Sequence, residues 1–108
     1  MTDKIVVLTT CASAEEAEKI ARALVSKKLA ACVNMLPAVR SIYRWKGAIE
    51  DAQETQLVIK SSRGLFDEVR AEIEKLHSYE MAEVIAMPIV DGSETYLDWL
   101  NRELAERE

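Results

Sequence analysis

Residues 29–45, LAACVNMLPAVRSIYRW, read as extended chain broken once, at Pro37. A proline donates no backbone hydrogen bond, so within a sheet it belongs on an edge strand or at a bulge. Beyond it Val39, Ser41, Tyr43 and Trp45 fall on one face of a strand, and Arg40, Ile42, Arg44 and Lys46 on the other. KGAIEDAQ then reads as a turn and ETQLVIKSS as the returning strand. A hairpin of this length is a large share of 108 residues. Its outer half carries Tyr43, Trp45 and Ile49, which a lone chain would expose along an unpaired edge. A second copy could cover both by strand pairing, so the hairpin predicts a homo-oligomer of closed symmetry.

The remaining elements follow from periodicity. DKIVVLTTC is a short β-branched run, expected as a buried first strand. Ser13 can N-cap a helix, with Glu16 completing a capping box, and Ala17, Ile20, Ala21, Leu24 and Val25 recur at helical spacing. Lys27 and Lys28 suit the negative end of that helix. SRGLFDEVRAEIEKLH is a second helix, with Leu65, Phe66, Val69, Ile73 and Leu76 inward. EVIAMPIV is a fourth strand, placed at an edge by Pro88, and Asp91-Gly92 turns the chain. SETYLDWLNRELAE is a third helix, with Tyr96, Leu97, Leu100 and Leu104 inward.

The order β-α-β-β-α-β-α predicts an α+β, ferredoxin-like βαββαβ antiparallel sheet. Two helices cover one face and a C-terminal helix is added. Strand order 4-1-3-2 would bring the end of strand 1 (Thr9 to Cys11), His77, Tyr79, Glu83 and the hairpin tip to one end of the sheet. Cys32 and Lys60 would fall toward the other, so a Cys11–Cys32 disulfide is not expected. One domain spanning residues 1–108 accounts for the whole chain.

Composition narrows the function classes. A net charge of −5 and no basic stripe argue against nucleic acid or an anionic membrane as partner. No apolar run approaches the roughly 20 residues of a membrane helix. MTDKIVVLTTC reads as a strand rather than a signal peptide. Two cysteines outside any CxxC or zinc spacing point to a reducing, cytoplasmic setting. There is no glycine-rich phosphate loop, nucleophile elbow or zinc motif, so no enzyme is expected.

LHSYEMAEVIAMPIVDG holds the only histidine, His77, with Tyr79, Glu80 and Glu83 close behind. Three segments together, KLAACVNMLPAVRSIYRWKGAIE, QLVIKS and HSYEMAEVIAMPIVDGSETYLDWL, resemble the CutA family of divalent-cation tolerance proteins. The similarity runs through nearly the whole chain, with distinctive Tyr-Arg-Trp before Gly-Ala-Ile-Glu and a closing Tyr-Leu-Asp-Trp-Leu. The resemblance implies a homotrimer joined through edge strands, similar to PII signalling trimers. It also implies a role in tolerance of copper and other divalent metals, and copper or another divalent cation as a bound ion. It assigns Cys32, Tyr43, Trp45, Lys60, His77, Tyr79 and Glu83 to an intersubunit cleft. Here Ser78 and Ala82 stand where many members carry proline. Thr9 and Leu76 stand where some carry a cysteine and the first of two histidines.

Each residue also has a plainer reading. His77 can simply satisfy a helix end. Cys11, just before a helix N-terminus, is expected to be partly thiolate and, with His77, to suit copper. It can equally be a small strand-end residue, as Cys32 can be a small hydrophobe. Tyr43 and Trp45 read as packing anchors, and Lys60 as a solvated strand end or an anion ligand. Glu50, Asp51 and Glu54 read as a solvated acidic tip, able to hold a hard divalent ion weakly. Two functions follow: divalent-metal (copper) tolerance with metal or a small ligand in the cleft, or a PII-like module for an anionic ligand or protein partner.

Overall fold

A computed structural model describes residues 2–106. The elements are β1 (Lys4–Cys11), α1 (Ala14–Ser26), β2 (Cys32–Trp45), β3 (Ala48–Ser62), a 3-10 turn (Arg63–Leu65), α2 (Phe66–Leu76), β4 (Ile85–Pro88) and α3 (Glu94–Glu103). The four strands form one antiparallel sheet in the order β2-β3-β1-β4, as the sequence pattern predicts. Both prolines lie on the outer strands. Pro37 sits at a bulge between Leu36 and Val39, where Ala38 takes φ 59°.

The core lies on one face of the sheet. Ile5, Val7 and Cys11 of β1 and Leu57 and Ile59 of β3 alternate inward, meeting Ala17, Ile20 and Leu24 of α1 and Val69 and Ile73 of α2. Burying each large aliphatic side chain stabilises the fold by roughly 1.5–3 kcal/mol. Helix α1 begins as expected, with the Ser13 hydroxyl accepting from the Glu16 amide. It ends with Lys28 at φ 59° and the Leu29 amide donating to the Leu24 carbonyl. That is a Schellman-type stop with lysine where glycine is usual.

Four expectations need correction. The turn is not KGAIEDAQ but Lys46-Gly47, both at positive φ, between the directly paired Trp45 and Ala48. Two residues in this conformation match the twist of a hairpin, so the strands run on to the tip. Glu50, Asp51 and Glu54 therefore lie within β3. Strand β4 has only four residues. Val25 and Tyr96, placed inward by periodicity, are exposed.

Strand β1 covers β3 only from Thr55 onward. Beyond that point the ladder from Val39–Glu54 to Trp45–Ala48 is two-stranded and projects from the body. This gives the molecule a 44 Å long axis against 24 and 23 Å across.

Candidate functional site

The projecting hairpin and the segment after α2 enclose a cleft of about 820 Å3. Ser41, Ile42, Tyr43 and Trp45 of β2 and Glu54 of β3 form one wall. Thr10 of β1 forms the floor, and residues 78–83 form the other wall.

A hydrogen-bonded clamp holds the second wall. Helix α2 ends at His77, whose backbone turns extended. The His77 ring is fully buried. Its Nδ1 accepts from the Tyr79 amide at 3.0 Å, which leaves Nε2–H to donate to the Thr10 carbonyl at 2.6 Å. Glu16 does not complete the capping box. Its carboxylate accepts instead from the Ser78 amide at 2.6 Å and the Ser78 hydroxyl at 2.9 Å. A proline at position 78 has no amide hydrogen to offer this bond.

Inside the cleft the Tyr79 hydroxyl donates to Glu54 Oε2 at 2.6 Å. Burial first, and then the Glu54 carboxylate, push the Tyr79 phenol well above its ordinary range. Glu54 is 5% exposed. No cation lies within ion-pair distance of it among the described residues. At the mouth Lys46 Nζ stands 5.5 Å from the Trp45 ring centre and 3.8 Å from Glu80.

The expected site residues divide into three groups. Tyr43, Trp45, Tyr79 and Glu83 line the cleft. Cys32 and Lys60 do not. They pair with each other across β2 and β3, six positions from Glu54, or about 20 Å along the strand, and the Lys60 ammonium donates to Asn34 Oδ1. Cys11 and His77 lie behind the cleft, in the wall rather than on its surface. Glu54 is the residue that sequence reasoning misplaces, as part of a solvated tip. The signal that finds it is register: Val39 pairs with Glu54 just past the bulge, where the hairpin leaves the body.

The expected thiolate is also corrected. Cys11 is fully buried, and burial, followed by Glu16 and Glu54, pushes its thiol up to about 12. Desolvation outweighs any helix-terminus effect. With the thiol protonated and both His77 nitrogens hydrogen-bonded, these two side chains do not fit copper as they stand. Among the described residues no group of three or more His, Cys, Asp or Glu could hold a metal ion.

Residues 5–103 match the CutA1 divalent ion tolerance protein family. The chain belongs to that family. Its CutA relatives include the divalent-cation tolerance protein CutA of Thermus thermophilus, 45% identical over 95 residues, covering 88% of this chain and 92% of that one. The solved structure of a divalent cation tolerance protein (Cut A1) from the same organism superimposes with a TM-score of 0.92 at 42% identity. That match covers 94% of this chain and 99% of the other. A CutA named as chloroplastic, from Arabidopsis thaliana, is 41% identical over 96 residues, or 89% of this chain. The present chain spans about half of its length, 53%. No helix among the described residues is long and apolar enough to cross a membrane.

Proposed function

We propose that this CutA chain works as a cytoplasmic homotrimer that contributes to divalent-metal tolerance by binding a small ligand in the cleft. The observation that carries the assembly is the projecting ladder. A two-stranded ribbon is marginal in water. This one leaves Ile42 67% and Ile49 71% exposed. Edge strand β4 adds exposed Ile85 and Met87 at the far side of the sheet. Pairing one chain's β2 edge with the next chain's β4 edge would cover both sets and close a ring.

Copper seated on Cys11 and His77 is the less favoured form of this reading, because it would break the bonds to Thr10 and Tyr79 and ionise a buried thiol. A PII-like site for an anion is also less favoured, since the cleft is lined by Glu54, Glu80 and Glu83 and by no Lys or Arg. General acid–base catalysis by His77 and Glu83 is disfavoured by the same ring bonds. The two free cysteines support a reducing compartment.

Sedimentation velocity tests the assembly: the reading expects a mass three times the 12.2 kDa chain. A monomer at micromolar concentration would overturn it. Thermal unfolding with and without candidate ligands tests the cleft, since a ligand specific for the native state raises the midpoint.

A further inference from the structure

Glu54 presents a physical imbalance. The residue is more than nine-tenths buried, yet among the described residues its carboxylate's only hydrogen-bond partner is the Tyr79 hydroxyl, at Oε2. A buried carboxylate without a cation is costly, and its second oxygen retains the capacity to accept. Tyr79 is the ring in contact with Glu54 and Tyr43 the next along the hairpin wall, and aromatic ring faces attract positive charge. Trp45 stands farther out, its register partner Ala48 six positions from Glu54, or about 20 Å along the strand. The other charged groups lining the cleft, Glu80 and Glu83, are also acidic. An ammonium already adopts this arrangement at the mouth, where Lys46 sits over Trp45 and near Glu80. The cleft thus offers negative charge, aromatic surface and hydrogen-bond acceptors to one kind of guest.

We propose that the cleft binds a small organic amine in its protonated form, with its N–H groups on Glu54 and its apolar body against Tyr79 and Tyr43. The proposal rests on the cleft reading above and names the ligand class. An N–H donor distinguishes this guest from a quaternary ammonium, which could use the rings but not the second Glu54 oxygen. A charge of +1 distinguishes it from a divalent ion, which would need more oxygen ligands than one buried carboxylate supplies.

The test uses isothermal titration calorimetry on the full chain. Phenethylammonium chloride is titrated at pH 7, with phenylacetate, phenethyltrimethylammonium and magnesium chloride as comparison probes. Saturable binding of the amine is expected, weaker binding of the quaternary analogue, and none of phenylacetate. Glu54→Gln keeps an acceptor for Tyr79 and removes the charge. It is expected to weaken the amine at least about tenfold, the scale of one charge-assisted hydrogen bond. Circular dichroism confirms that this variant is folded, and Glu83→Gln, at an exposed position, is expected to cost less. Equal binding of phenylacetate, undiminished binding in folded Glu54→Gln, or no amine binding would overturn the proposal. If another probe binds while the amine does not, the amine fails and the cleft reading stands. If no probe does and the chain sediments as a monomer, both fail.

Discussion

Titrating the solution through the alkaline range should weaken the fold through Cys11. The thiol is raised from an ordinary value of 9.0 to about 12. A raised folded-state pKa means that the native state holds its proton where the unfolded chain has lost it. The stability tied to that proton is complete below about pH 9 and is lost progressively up to about pH 12. At about pH 10.5 the unfolded thiol is almost wholly ionised and the native one almost wholly protonated. The difference amounts to about 2 kcal/mol. Tyr79, whose phenol is also raised by burial and by Glu54, loses stability over the same alkaline range, so the comparison must be with Cys11→Ala, in which that contribution is shared. Urea unfolding of both proteins at one protein concentration, at pH 7 and at about pH 10.5, gives the answer. The wild type should lose about 2 kcal/mol more than the variant. Parallel losses would show that Cys11 ionises as a free thiol and would refute its burial beneath the helices.

Three further outcomes follow from single contacts. Glu16→Gln trades the carboxylate that holds Ser78 for a neutral amide, so it should destabilise by about 1 kcal/mol and speed hydrogen exchange at the Ser78 amide; unchanged exchange would mean that the clamp is not formed. Thr9 keeps a buried hydroxyl with no hydrogen-bond partner among the described residues, so Thr9→Val, of the same shape, should raise the urea midpoint by the equivalent of about 1 kcal/mol, and a lower midpoint would contradict this. Gly47→Ala meets no atom within 4 Å but must adopt φ +81°, so a loss of about 1 kcal/mol from backbone strain is expected, and none would refute the tight turn.

Residues with a local cause for their conformation are legible in the sequence. Ser13 marks the start of α1, Pro37 and Pro88 mark the outer strands, and the switch between twofold and 3.6-residue periodicity gives the element order. Residues whose partners are distant in sequence are not. Glu16 looks like a capping residue because its local partner is three residues away, but Ser78, 62 positions on, takes the carboxylate. Cys11 looks activated because α1 begins close by, whereas its side chain enters the core. Glu54 looks like a tip residue because acidic clusters favour turns, and only the register with Val39 places it at the cleft. The gathering of Tyr43, Trp45, Tyr79 and Glu83 follows from topology and family resemblance together. Cys32 and Lys60 come from the resemblance alone, and within one chain they stand apart from the others.

The central claim is that the cleft, and not a copper seat on Cys11 and His77, is the working site of this CutA chain. Anaerobic titration with Cu(I) against a chromophoric competitor, on the wild type and on Cys11→Ser and His77→Ala, tests it most directly. The account predicts no competitive binding that depends on either residue. One copper bound per chain in the wild type, and lost in both variants, would contradict it.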